Sequence, residues 1–324
     1  MTNTMNWDKL GVIFHANSKH DWNYSHAQVP TSIFVGEKRI RIFYSSRSVD
    51  NISFISFIDV DIFSPDKVIY IHESPVLKSG EIGTFDEFGV MPSSLVRAKD
   101  GSLMMYYTGW SRSESVPFCN AIGLAISFDD GITFNRVGRG PIFSPNINEP
   151  FFVGTAEVQR FGDKWSCWYS VCTEWVKEFN KNLEPRYHLK YADSNDGINW
   201  NRRGIVAIDY KDEKEGGIVK ASVLKREKYF MWFSYRATHN YRTDRNSSYR
   251  IGFASSVNGI NWTRRDDEVG ITISDSGWDS EMIAYPSVVH TKEFLYLFYN
   301  GNGFGKTGIG VAKLDINSLN NLSH

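Results

Sequence analysis

No stretch of this chain is apolar over the roughly 18 residues that a membrane-spanning helix requires, so no membrane span is expected. Neither sign of charge dominates: 36 Lys and Arg stand against 37 Asp and Glu, with no basic cluster. That excludes a nucleic-acid partner held by phosphate neutralisation, which needs clustered cations. Cysteine is scarce. Cys119, Cys167 and Cys172 are odd in number and lack CxxC spacing, so they read as reduced, buried thiols rather than metal ligands or disulfides. No metal and no cofactor enter the reading. Met1 to Asp8 lacks the basic and apolar regions of a secretion signal, and a cytoplasmic location is the expectation. Also missing are a Ser–His–Asp order, a phosphate-cradling glycine loop and a dinucleotide fingerprint. Gly301, Gly303 and Gly305 in NGNGFGKTG follow a strand but open no helix, which discounts them as a phosphate loop.

What is present is aromatic and glycine-rich. Aromatics make up 15% of the chain and Gly (26) outnumbers Pro (10), a balance that favours short strands and tight turns over long helices. Internal repetition is visible directly. ISFDDGITFNR, ADSNDGINWNR and ASSVNGINWTR place turn glycines at Gly131, Gly197 and Gly259, 66 and then 62 residues apart. Each copy follows an alternating strand, and Asp-Gly or Asn-Gly supplies the positive φ of a tight hairpin. The first copy, from Ser127 through Asp129 and Gly131 to Phe134, resembles the structural Asp-box hairpin of sialidase-like propellers.

A second element recurs five times: a short apolar strand, a turn, then a strongly aromatic strand. Aligning Pro30, Pro92, Ala156, Ala221 and Pro286 gives steps of 62, 64, 65 and 65 residues. This predicts an all-β fold, a five-bladed β-propeller of four-stranded antiparallel blades filling 1–324 as one domain. Inner strands are expected near 28–35, 90–97, 154–160, 219–225 and 284–290. The fifth blade lacks an outer strand, and WDKLGVIF from Trp7 has the pattern to supply it, closing the ring. Residues 315–324, rich in Asn and Ser, are expected to fray. Two stacked sandwiches are the competing architecture, but give no reason to repeat one unit five times.

In such a fold, chemistry gathers where inner strands begin and second strands end. The first set offers His26, Asp86, Glu87, Glu149, Glu215, Asp279 and Glu281; the second offers Arg47, Trp110, Trp175, Arg236, His239, Asn300 and Asn302, with Tyr285 beside Pro286. Acids, amides, arginines and tryptophans at one mouth suit a sugar or glycan partner, whose hydroxyls take hydrogen bonds and whose apolar faces stack on rings. Lys220, directly before Ala221, stands at a position usually apolar in the other blades and with Arg47, Arg236 and His239 would suit an anionic group.

The stretches VMPSSLV, DGSLMMYYTGW, KWSCWYS, YFMWFSYR and GWDSEMIAYPSVV resemble the five-bladed propeller glycosidases: the arabinanase–xylosidase, invertase–levansucrase and mannoside-phosphorylase groups. The last stretch looks like the glycosidase-like proteins of bacterial surface-polysaccharide gene clusters. The resemblance, over roughly Trp7 to Leu314, implies a carbohydrate-active enzyme with paired carboxylates. Yet Val29, Met91 and Gly154 occupy the three positions where those enzymes carry acids. The acids would then come from Glu281 with Asp279, from Glu215 or Asp86, or from Glu157 near the displaced general-acid position. The leading expectation is cleavage or transfer of a glycosyl unit. The alternatives are a non-catalytic glycan-binding or scaffold propeller, and a non-hydrolytic sugar-modifying enzyme using Lys220.

Overall fold

Alternating apolar and small polar side chains, punctuated by Gly, Asn and Asp, dictate many short paired strands. The computed structural model describes residues 4–177 and 183–322. Strand β1 spans Asp8–Phe14. Four antiparallel units follow: β2–β5 (Ser25–Val35, Arg39–Arg47, Ser53–Asp61, Val68–Ile71) and β6–β9 (Gly89–Arg97, Leu103–Ser111, Cys119–Ser127, Asn135–Arg136) come first. Next are β10–β13 (Val153–Phe161, Lys164–Lys177, Leu183–Ser194, Trp200–Ile208) and β14–β17 (Glu215–Lys225, Tyr229–Ala237, Arg250–Ser256, Thr263–Arg264). Strands β18–β20 (Ala284–His290, Phe294–Asn300, Ile309–Asp315) complete the order, and β1 pairs antiparallel with β20 as the fourth member of that sheet. The first strands β2, β6, β10, β14 and β18 lie against one another in succession, and β18 also contacts β2.

Three devices recur between units. The first is aromatic. Phe43, Tyr106, Trp168 and Trp232 on the second strands meet Phe134, Trp200, Trp262 and Trp7 of the next unit edge-on, at centroid distances of 5.8, 6.2, 5.9 and 6.2 Å. Trp7 thus fills the slot that Phe134, Trp200 and Trp262 fill elsewhere, which is why the N-terminal strand docks on the last sheet. Each such pair adds about 1 kcal/mol beyond area burial.

The second device is the hairpin turn. Ser127 Oγ accepts from Gly131 N (2.8 Å), and Asp129 accepts from Ile132 N and Thr133 N. Burial opposes ionisation of Asp129, but these bonds and those from the Ser127 and Thr133 hydroxyls bring its pKa down to about 2. The same turn at Gly197 and Gly259 presents carbonyls to Tyr106 Oη and Trp168 Nε1 of the preceding unit, at 2.8 Å each.

The third is a series of side-chain latches between first strands. Ser93, Ser222 and Ser287 each accept a hydrogen bond from the next unit's backbone, at Ala156 N (2.5 Å), Val288 N (2.9 Å) and Ser32 N (2.9 Å). Glu157 takes this place in the third unit, accepting from Val223 N at 3.2 Å. The C-terminal segment corrects the expectation of fraying: Ile316–Asn321 forms a 3-10 helix, and Ile316, Leu319 and Leu322 enter the cluster around Trp7 and Trp232. Three apolar side chains hidden in the Asn- and Ser-rich tail anchor it; residues 323 and 324 lie outside the described residues. No helix among the described residues is long and apolar enough to cross a membrane.

Candidate functional site

Each first strand breaks register close to the aligned position: between Gln28 and Thr31, Pro92 and Ser94, Gly154 and Ala156, Val219 and Ser222, and Ala284 and Ser287. A bulge re-aims a side chain out of the sheet. Here Val29, Lys220 and Tyr285 take φ values of +53°, +54° and +58°, a left-handed conformation that such residues adopt only when the surroundings enforce it. The enforcement is visible. Tyr285 N donates to Ser234 Oγ (2.7 Å), Val29 N to Asn300 Oδ1 (2.8 Å), and Lys220 N to Thr155 Oγ1 (3.1 Å). Thr155 N donates in turn to Thr108 Oγ1 (3.0 Å). Ser234, Asn300 and Thr108 each end an aromatic–aromatic–polar triplet of the second strands, so the repeat that builds the core also braces the bulges.

Around these bulges opens a cleft of about 420 Å³. Val29, Met91, Gly154, Thr155 and Tyr285 come from the first strands; Arg47, Thr108, Trp110 and Ser170 come from the second. Phe118, Asn120, Tyr241, Arg242, Tyr249 and Phe304 are supplied by other strands and connecting segments. Among the described lining residues there is neither Asp nor Glu. On one side Tyr187 and Tyr249 share a hydroxyl–hydroxyl contact, and Arg236 Nε donates to Tyr187 Oη at 3.2 Å. Burial holds the Tyr249 and Tyr285 hydroxyls above the ordinary tyrosine value, so both stay protonated.

The predicted residues divide sharply. Arg47, Trp110 and Tyr285 line the cleft, as do Val29, Met91 and Gly154, the three positions where acids were missing. Trp175 lies behind the wall, packed edge-on against Phe118 and Phe152 at 5.4 and 5.7 Å. Arg236 is not presented to a ligand: its Nη1 and Nη2 donate to the Ala237 and Pro185 carbonyls at 2.7 and 2.8 Å. His239 is exposed and outside the cleft. Asn300 is spent on Val29 N and the Ala27 carbonyl, and Asn302 on Glu281 N and the Gly277 carbonyl. His26 sits beside the site with Nδ1 2.9 Å from Ser25 Oγ; burial first, then the charges of Arg47 and Lys306, lower its pKa to about 4.

The carboxylates expected at the mouth are held elsewhere, and this corrects the sequence reading. Asp86 is buried against Arg136 Nη2 (2.7 Å) and Tyr107 Oη (3.1 Å). Glu149 meets Arg202 Nε (2.9 Å) and Tyr169 Oη (3.0 Å), Glu215 meets Arg264 Nη1 (2.6 Å), and Asp279 meets Lys9 Nζ (2.7 Å) and Tyr299 Oη (3.0 Å). These are one clasp repeated, in which a cation of the fourth strand closes over the acid at or before the start of the first. Glu281 is exposed and outside the cleft, and Glu87 accepts from Gly83 N at 2.7 Å. Lys220 is 2% exposed and absent from the lining; burial lowers its pKa to about 8 against the opposing charge of Glu157. Glu157 itself is pushed upward by burial, with Lys220 opposing.

Sequence reasoning missed Tyr187, Tyr241, Arg242 and Tyr249. The only signal was the long segment between β15 and β16, HNYRTDRNSSY, rich in Tyr and Arg but without counterpart in the other units. Among the described residues no three His, Cys, Asp or Glu side chains gather into a metal site.

The arrangement of sheets is shared with carbohydrate-active propellers. A glycoside hydrolase of known structure superposes with a TM-score of 0.73 at 16% identity, covering 96% of this chain and 92% of the other. A glycosyl hydrolase from Bacteroides ovatus gives 0.69 at 14% identity over 98% and 95%. A structure from the GH130 family of mannoside phosphorylases, which contains glycoside hydrolases targeting β-1,2 mannosidic linkages in Candida mannan, gives 0.69 at 13% over 97% and 94%. The fold is therefore that of a glycosidase-like propeller. No family model matches the sequence. Within that class, the chain belongs to the family of Uncharacterized protein MT1551 of Mycobacterium tuberculosis (strain CDC 1551 / Oshkosh), with 34% identity over 312 residues, covering 96% of this chain and all of the relative. Uncharacterized protein Rv1502 of strain H37Rv matches equally, at 34% over the same length.

Proposed function

We propose that the five sheet units are the blades of one five-bladed propeller, with the ring completed by β1 on β20, and that the cleft at its mouth binds a carbohydrate. The carrying observation is the lining: Trp110, Phe118 and Tyr285 offer ring faces, Gln28, Asn51, Asn120, Thr155 and Ser170 offer polar groups, and no carboxylate is present among the described lining residues. Stacking and neutral hydrogen bonds suit a sugar. Hydrolysis by two carboxylates about 5 to 9 Å apart does not suit a cleft lined without them. Recognition of a glycan is thus the principal reading.

Titration of a panel of neutral and charged monosaccharides, followed by tryptophan fluorescence, tests it. Saturable quenching that Trp110→Ala removes supports the reading; the same quenching in Trp110→Ala and wild type sinks it.

Cleavage or transfer of a glycosyl unit is the second reading, and one observation favours it. Glu157 lies two residues beyond the cleft-lining Thr155, and burial keeps its carboxyl above the usual range, the state a general acid needs. Glu157→Gln retains the latch acceptor. Loss of product release in this variant with unchanged melting supports catalysis; unaltered release excludes Glu157 as the acid.

A further inference from the structure

We propose that the sugar taken by this cleft carries an oxyanion, a phosphate or a carboxylate, and that Arg47 and Arg242 hold that group. The inference rests on the carbohydrate reading and narrows it.

The three arginines around the cleft are unequal. Arg236 has all of its guanidinium nitrogens bonded, to Tyr187 Oη and to the Ala237 and Pro185 carbonyls, and its charge is enclosed by Tyr187 and Tyr241 at 4.9 and 3.8 Å from their ring centres. It is part of the wall. Arg47 has a single side-chain bond, from Nε to Gln28 Oε1 at 3.0 Å, and among the described residues no carboxylate pairs with it and no acceptor meets Nη1 or Nη2. Arg242 is intermediate. Its Nε donates to Glu184 Oε1 (3.2 Å) and its Nη2 to Tyr241 Oη (2.6 Å), while Nη1 meets no acceptor among the described residues. Both Arg47 and Arg242 line the cleft.

Charge balance follows from these contacts. Glu184 neutralises Arg242, whereas among the described residues no carboxylate neutralises Arg47. Burial holds the Arg47 guanidinium below its ordinary value; Tyr285 opposes this, and the neighbouring Arg242 adds to it. A half-buried cation without a counter-charge is costly, and an incoming anion offsets that cost. The free Nη edge of Arg47 presents two parallel donors, the geometry that matches carboxylate or phosphate oxygens, and Tyr285, whose hydroxyl stays protonated, lines the same cleft. The clasps at Asp86, Glu149 and Glu215 show what an arginine does when a protein carboxylate is meant to satisfy it. Among the described residues no carboxylate takes that place at Arg47, which leaves the position open to an oxyanion of the ligand.

The test is calorimetric titration of the full chain at low ionic strength. The probes are glucose, mannose and galactose, the corresponding uronic acids and 6-phosphates, and inorganic phosphate. A charged sugar is expected to bind about tenfold or more tighter than its neutral parent, the effect of one charge-assisted pair. Arg47→Met should remove that preference, Arg47→Lys should restore part of it, and Arg139→Met, on an exposed ion pair away from the cleft, should leave it intact. Tighter phosphates or tighter uronates both support the proposal and identify the oxyanion. Neutral sugars binding as well as their charged counterparts overturn this proposal alone. Binding of inorganic phosphate with no gain from any attached sugar overturns the carbohydrate reading and the proposal with it.

Discussion

Lys220 is 2% exposed, with no carboxylate pairing among the described residues, on a backbone held at φ +54°. Its folded pKa, about 8, lies below the ordinary 10.5. Between those values the unfolded chain binds more protons, so stability should rise with pH across that window, while below pH 8 the full burial cost is present. Lys220→Met should therefore stabilise the protein at pH 7 by about 1 kcal/mol or more and flatten the alkaline rise, read from urea midpoints. A loss of stability would show that Lys220 supports the fold. His26 works at the acid end. Its folded value near 4 against 6.5 means that stability falls as pH drops through that interval. His26→Asn, which tolerates the φ of +63°, should make the pH 5 and pH 7 midpoints more alike. Gly154 has room for a side chain: an added β-carbon would meet nothing closer than 3.4 Å, so crowding does not explain the missing acid.

At the scale of strands and turns, the units and their repeats were legible because turn glycines, aligned prolines and aromatic pairs all depend on local chemistry. Phe134-x-Arg136, Trp200-x-Arg202, Trp262-x-Arg264 and Trp7-x-Lys9 even spell out the clasp cation in the sequence. What sequence does not show is that this cation folds back over Asp86, Glu149, Glu215 or Asp279. The acids therefore read as mouth residues when they are clasps. The tyrosine wall was illegible for the opposite reason: Tyr241 and Tyr249 sit in a segment that repeats nowhere. Asp86→Ala should cost about 3 kcal/mol, because Arg136 loses its buried partner, and should leave sugar affinity unchanged. A matching loss of affinity would place Asp86 at the ligand. Trp7→Ala should cost about 3 to 5 kcal/mol, as in other buried Trp truncations, and should loosen β1 from β20 first. Hydrogen exchange that leaves the β1 amides as protected as before would deny the tryptophan that role.

Across the whole molecule, repeated clasps hold the buried acids Asp86, Glu149, Glu215 and Asp279, and the cleft is lined by side chains that escape the repeat. Fold alone does not carry the chemistry: the propellers of similar shape are named for hydrolysis and phosphorolysis, whereas this cleft offers rings, amides and arginines. Its ligand is the central claim, and a crystal structure of the protein soaked with a uronic acid or a sugar 6-phosphate tests it most directly. Sugar density is expected against Trp110, with the anionic group on the free Nη edge of Arg47. Density seated instead on the outer clasps, with the cleft holding only solvent, would contradict it.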